Sequence, residues 1–299
     1  MPNSELFGAV EAGGTKVICA LVDGPKTVRA RTRIPTTTPH EVFAEVCRFF
    51  RGNTNKYGIP DAVGIATFGP VNISDPRAED YGTIMKTPKP GWENASWPKA
   101  IREVFPQSRV VVETDVNAAA LAEIRWGAAK QMSDVVYFTV GTGVGAGIVS
   151  NGKPLHGLLH PEVGHIRIPR EADEMAMFPG VCPFHGDCLE GVASGPAMQA
   201  RWGVPPEELP AGHEAWEVEA NALSWACVNI ICTVSPRRII IGGGVAQEET
   251  LFPLLRKKVI TRLNGYINAA PIVREMDEFI VPPALGQDAG LLGALALVG

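Results

Sequence analysis

Glu11-Ala-Gly-Gly-Thr-Lys16 lies between the apolar segments 7–10 and 17–22, and Val140-Gly-Thr-Gly-Val-Gly145 lies between 135–139 and 146–149. Each reads as strand, tight turn, strand, with glycines where the backbone bends sharply or lets a ligand approach. The threonine of each turn adds a hydroxyl to exposed backbone N–H groups, a combination suited to phosphate oxygens. One such hairpin would merely reverse the chain. Two of them, one opening each half, imply a duplicated unit closing on a nucleotide. Neither turn has the form G-x-x-x-x-G-K-[ST], nor that of a G-x-G-x-x-G opening a helix, so the ordinary P-loop and dinucleotide folds are disfavoured.

Outward from the turns, strands alternate with helices, the mark of an α/β protein. A helix over 39–51 precedes a strand over 62–66 that runs into Phe68-Gly-Pro-Val-Asn72. A proline-rich excursion from 72 to 97 follows, including Lys86-Thr-Pro-Lys-Pro-Gly-Trp92; its prolines exclude a regular helix. After a helix over 98–105, the strand 109–112 ends at Glu113-Thr-Asp115 and meets a helix over 117–126. The second half adds the 135–149 hairpin, a loop region over 156–190 and a helix over 214–234. The strand 238–241 then enters Gly242-Gly-Gly-Val245, and 288–298 has helical spacing. No low-complexity linker separates the halves, which places the boundary near residues 115–117.

With 299 residues the chain can bury two sizeable cores. A net charge of −5 argues against a nucleic-acid surface. The opening residues lack a basic region followed by a long apolar run, and no later segment reaches membrane-spanning length. The expected setting is therefore cytoplasmic, with neither membrane nor nucleic acid as partner. Of six cysteines, Cys19, Cys47, Cys227 and Cys232 sit in apolar or amphipathic stretches as packing residues.

Asp115 stands where a buried strand gives way to a helix. Its carboxylate suits an N-cap, and equally a general base taking the proton from a hydroxyl that attacks a phosphoryl group. The two roles can coexist. His165 followed by Cys182-x-x-His185-x-x-Cys188 offers two thiolates and two imidazoles to a tetrahedral zinc; the competing reading is a loop with incidental polar residues or a redox pair. With all four positions filled by protein, such a metal is structural. It would fix Glu162 and Glu190, whose side chains could bind sugar hydroxyls or simply be solvated. Gly242-Gly-Gly244 fits either close approach of a nucleoside or a strand-to-helix turn. His40, His156, His160 and His213 join no constellation and read as ordinary surface or packing residues.

Together these segments resemble the ROK (repressor, open reading frame, kinase) family of sugar kinases, from about Gly8 to the C-terminus. The resemblance is carried by Glu11 to Lys16, Phe68 to Asn72 and Glu113-Thr-Asp-Val-Asn-Ala-Ala-Ala-Leu-Ala-Glu123. It continues through Val140 to Gly147, Glu162-Val-Gly-His165, Cys182 to Glu190 and Gly242 to Gly244. It implies the duplicated actin-like (ribonuclease-H-like) α/β ATPase fold, two lobes with an interlobe cleft. Residues 1–115 and 286–299 would form one lobe and 116–285 the other. It further implies Asp115 as base. Gly13, Gly14, Thr15, Lys16, Gly141, Thr142 and Gly143 would hold phosphate, and Gly242, Gly243 and Gly244 the nucleoside. Gly69, Asn72, Thr114, Asp115, Glu162 and Glu190 would contact sugar, and His165, Cys182, His185 and Cys188 would bind zinc. ATP, Mg²⁺, a hexose and a homodimer complete the implied set.

Three departures refine the expectation. Glu11 replaces the Asp of many members, Thr114 replaces Asn, and C-x-x-H-x-x-C replaces C-x-C-x-x-x-x-C. With the Thr-Pro-Lys-Pro-Gly-Trp92 segment, these look like the fructokinase branch, hence phosphorylation of D-fructose at its 6-hydroxyl. A kinase for glucose, mannose or another hexose is the nearest alternative. A sugar-responsive, non-catalytic member is the other. Repressors of the family carry a helix-turn-helix before the first phosphate turn, for which a turn at Glu11 leaves no room.

Overall fold

The computed structural model describes residues 5–299. The chain divides into two compact units, residues 1–126, 154–160 and 285–299 in one, 127–153 and 161–284 in the other.

In the first unit, β1 (Phe7–Ala12), β2 (Lys16–Val22), β3 (Val28–Pro35), β4 (Ala62–Thr67) and β5 (Arg109–Thr114) form one sheet. Their order is β3-β2-β1-β4-β5. β1 and β2 make the antiparallel hairpin of the first glycine turn, while β4 and β5 continue the sheet in parallel. Alternation along the strands sorts side chains by face. Val10, Val17, Cys19, Leu21, Val63 and Ile65 join a large-residue core with Phe50, Trp92 and Trp97. That core involves α1 (Pro39–Tyr57), α2 (Trp97–Arg102) and the proline-rich excursion. Thr38 and Glu41 cap α1 reciprocally, with Pro39 in its first turn. The opposite face mixes small residues with Phe7, Ile18 and Val22, and its alanines Ala9, Ala20, Ala62 and Ala66 pack with Ala118, Leu291 and Ala294. Small side chains let helices come close, and here they admit α3 (Asp115–Trp126) and the C-terminal helix of residues 289–296.

The second unit repeats the plan. β6 (Val135–Val140) and β7 (Val144–Ser150) form the second glycine hairpin, with β8 (Lys153–Pro154) at the edge beyond β7. β9 (Arg238–Gly242) lies parallel to β6, and β10 (Ile280–Val281) parallel to β9. From the hairpin edge the order is β8-β7-β6-β9-β10, the same path the chain takes through the first sheet. The helices are α4 (Ala172–Met177), α5 (Leu189–Ala193), α6 (Gly195–Trp202), α7 (Ala215–Val234), α8 (Leu251–Leu263), α9 (Ala270–Val273) and α10 (Met276–Phe279). The C-terminal helix (Ala289–Ala296) is α11. Phe138, Trp216, Leu223, Ile241 and Leu255 belong to the single core of this unit. No helix among the described residues is long and apolar enough to cross a membrane.

The division departs from the expected boundary at residues 115–117. All of α3 stays with the first unit because its Ala-rich face packs against α11, so the chain leaves that unit only after Trp126. Residues 154–160 also belong to it, held by contacts described below.

Candidate active site and metal centre

In the first unit, β1, β4 and β5 end on one rung: Ala12 lies opposite Thr67, and Thr67 opposite Thr114. Gly13, Phe68 and Asp115 therefore leave the sheet side by side at its C-terminal edge, where ligands of α/β proteins collect. The turn after β1 is closed by Gly13 N donating to Lys16 O at 2.9 Å and by Thr36 Oγ1 donating to Gly13 O at 2.9 Å. Thr15 is exposed at its tip. Strand parity turns Glu11 to the small-residue face, under α11. The carboxyl group accepts from the Leu291 backbone and fills space beside Gly290, where an added Cβ would come within 2.4 Å of it. Burial raises the Glu11 carboxyl above its ordinary range, against the opposing pull of Lys16 and Arg31.

The two readings of Asp115 separate here. Thr114 Oγ1 accepts from Asn117 N at 3.2 Å, so Thr114 caps α3. Asp115 occupies the first helical position, with Oδ1 accepting from Val116 N at 2.9 Å. Behind it, the buried Glu113 accepts from Thr114 N at 2.8 Å and Asn117 Nδ2 at 2.9 Å through Oε1. Its Oε2 pairs with His156 Nε2 at 2.8 Å. His160 is buried, accepts from Val71 N at 3.2 Å and packs beside Gly69. Ser74 Oγ donates to Leu158 O at 3.1 Å. Asn72 holds the excursion through its backbone, donating to Thr83 O and accepting from Gly82 N.

In the second unit, Thr139 lies opposite Gly242, so the Gly141–Gly143 and Gly242–Gly244 turns leave neighbouring parallel strands together. Gly195 N at the start of α6 donates to Gly141 O at 2.7 Å, and Gly243 folds onto the backbone of Val140. Glu190 Oε2 accepts from Val144 N at 3.1 Å, and any Cβ on Gly143 would lie 2.6 Å from that oxygen. A side chain at Gly143 would thus displace the Glu190 carboxylate from this position. Glu162 keeps solvent access, yet the protein crowded about its carboxyl and the adjacent Glu190 charge push it up to about 7.

One ligand atom from each of His165, Cys182, His185 and Cys188 lies within 4.8 Å of all the others. Cys182 Sγ is 3.7 Å from both His165 Nδ1 and His185 Nδ1, and Cys188 Sγ is 3.5 Å from His165 Nδ1. Tetrahedral zinc with ordinary Zn–S and Zn–N bonds separates sulfur from nitrogen by about 3.6 Å. The donor set therefore fits. Burial pushes the Cys188 thiol up to about 11, so a thiolate at this position calls for a bound cation.

The sequence model of the ROK family matches residues 7–299. The chain belongs to the ROK family. It is 41% identical to the fructokinase of Zymomonas mobilis over 99% of this chain and 97% of that one. It is 39% identical to the fructokinase of Pediococcus pentosaceus, over 98% and 97%. The crystal structure of a ROK hexokinase from Thermus thermophilus superposes with a TM-score of 0.77 at 25% identity, covering 98% of this chain and 97% of that one. The fold is accordingly the duplicated actin-like α/β fold of ROK sugar kinases.

Within the first unit the structure brings the Gly13–Lys16 turn and Asp115 to one sheet edge. Within the second it sets Gly141–Gly143 beside Gly242–Gly244 and beside Glu190, places Glu162 near Glu190, and gathers the four potential metal donors. Thr114, expected to face sugar, is 3% exposed and engaged in capping. Sequence reasoning passed over Glu113, His156 and His160. The histidines belong to a short segment whose anchoring partners lie 43 and 89 residues away, and no local spacing signals such a link.

Proposed function

We propose that the chain transfers the γ-phosphoryl group of MgATP to the 6-hydroxyl of D-fructose, with Asp115 as general base. The sugar O6–P bond forms as the P–O bond to ADP breaks, and Asp115 takes the hydroxyl proton. The supporting observation is the shared rung of Ala12, Thr67 and Thr114, which sets the first glycine turn and Asp115 on one sheet edge. Fructokinase relatives matching nearly end to end specify the sugar.

Gly13, Gly14, Thr15 and Lys16, with Gly141, Thr142 and Gly143, hold the phosphates and their Mg²⁺, and Gly242, Gly243 and Gly244 line the nucleoside. Gly69, Asn72, Glu162 and Glu190 meet sugar hydroxyls, while Thr114 acts on the sugar by fixing Asp115. His165, Cys182, His185 and Cys188 hold one structural zinc. Residues 5–126, 154–160 and 285–299 serve as the first lobe. The family resemblance favours a homodimer, and six unbridged cysteines favour the reducing cytoplasm.

The test is MgATP-dependent ADP release across fructose, glucose, mannose, N-acetylglucosamine and N-acetylmannosamine. Fructose leading in kcat/KM is the expected outcome. Another sugar in front would overturn the substrate, and silence from folded, zinc-loaded protein would overturn the kinase.

A further inference from the structure

The Thr87-Pro-Lys-Pro-Gly-Trp92 segment has a cation at its centre with no counter-ion. Lys89 Nζ donates to the Gly14 carbonyl oxygen, inside the first glycine turn, and stands 5.0 Å from the centroid of the Phe68 ring. Among the described residues its ammonium joins no ion pair with a carboxylate. A half-buried ammonium without a counter-ion is costly, and burial draws its pKa below the ordinary lysine value. An ammonium has three donors, of which the turn takes one.

The segment is braced to hold this position. Prolines 88 and 90 flank the lysine. Trp92 is 1% exposed, donates through Nε1 to Thr37 O at 2.9 Å, and meets the Phe68 ring edge-on at 5.0 Å. Phe68 thus has the indole and the ammonium as neighbours, and follows Thr67 on the rung shared with Ala12 and Thr114. Lys89 is therefore fixed over the ends of β1 and β4, and the next strand, β5, delivers Asp115.

We infer that Lys89 is a catalytic residue whose ammonium pairs with the non-bridging oxygens of the phosphoryl group in flight. The inference rests on the kinase reading above and assigns a role to a residue that reading leaves idle. As the O6–P bond forms and the P–O bond to ADP breaks, Asp115 receives the proton and Lys89 keeps all of its own. It contributes fixed charge to an anionic transition state, at no cost of reorganisation. A compact point charge suits the three equatorial oxygens of that state.

The test compares wild type, Lys89→Met and Lys89→Arg with fructose and MgATP, and titrates ADP with aluminium fluoride and fructose as a mimic of the transferring phosphoryl group. K89M is expected to lose at least about 100-fold in kcat, the scale of deleting one preorganised donor. Its KM values should stay within about threefold, a pattern reserved for contacts made in the transition state. K89M should also bind ADP normally but lose the aluminium fluoride complex, while K89R, which keeps the charge, retains more turnover. If Lys89 only staples the segment to Gly14, K89M and K89R lose thermal stability alike, with equal kcat. That result, or K89M keeping a third or more of kcat, overturns the inference. Fructose turnover absent from wild type overturns the kinase reading instead.

Discussion

At the residue scale, the chemistry at Asp115 depends on how its neighbours are occupied. Thr114 caps α3 at Asn117 N, so the start of the helix does not rest on Asp115 alone. Asp115→Asn should therefore leave folding intact while lowering kcat about 10³-fold, with little change in the KM for fructose; steady-state kinetics and thermal melting check both halves. Behind it, the hydrogen bond that His156 donates to Glu113 raises the His156 pKa above its ordinary value of 6.5. A group raised on folding stabilises fully below its unfolded pKa, and that stabilisation fades as pH climbs through the folded value. The Tm advantage of wild type over His156→Gln should thus be greatest near pH 6 and shrink towards alkaline pH. Its size should not exceed about 1 kcal/mol, because the imidazole keeps much of its contact with water. A Tm difference independent of pH would refute the pairing.

At the element scale, the sheet of the first unit has one face for bulky side chains and one for close helix approach. Gly64 on β4 shows how close: a Cβ there would sit 1.8 Å from the Ala294 carbonyl oxygen of α11. Gly64→Ala should destabilise the protein by more than about 3 kcal/mol in a denaturant titration, since a backbone atom must move. The elements were legible because apolar runs of period two and turn glycines are local signals, and the 109–114 strand with its following helix placed Asp115 at their junction. The two cysteines and the histidine within seven residues likewise announced a Cys/His cluster, which the fold gathers with His165. The packing of α3 against α11 was not legible, since it joins segments some 170 residues apart. Lys89 escaped for another reason: a proline-rich loop reveals its stiffness in sequence but not the direction of its side chains.

At the scale of the whole molecule, two sheets of identical order carry their own cores, and all four donors of the proposed zinc site belong to the second. Stripping zinc should therefore weaken one unit and spare the other. Calorimetry of chelator-treated protein should show an early transition at least about 5 °C below the native one, while the signal from Trp92 and Trp97 melts late. A single transition shifted as a whole would show that the units unfold as one. The duplication also left its two copies unequal. In the second, Glu190 both braces the glycine turn through Val144 and presents a carboxylate of the kind that grips a polyol. In the function proposed above, Glu190 would answer to both ligands, and their affinities would then be interdependent. Whatever a hexose does to the hold on nucleotide, nucleotide must do by the same factor to the hold on hexose, so order of arrival can alter the kinetics but never the coupling.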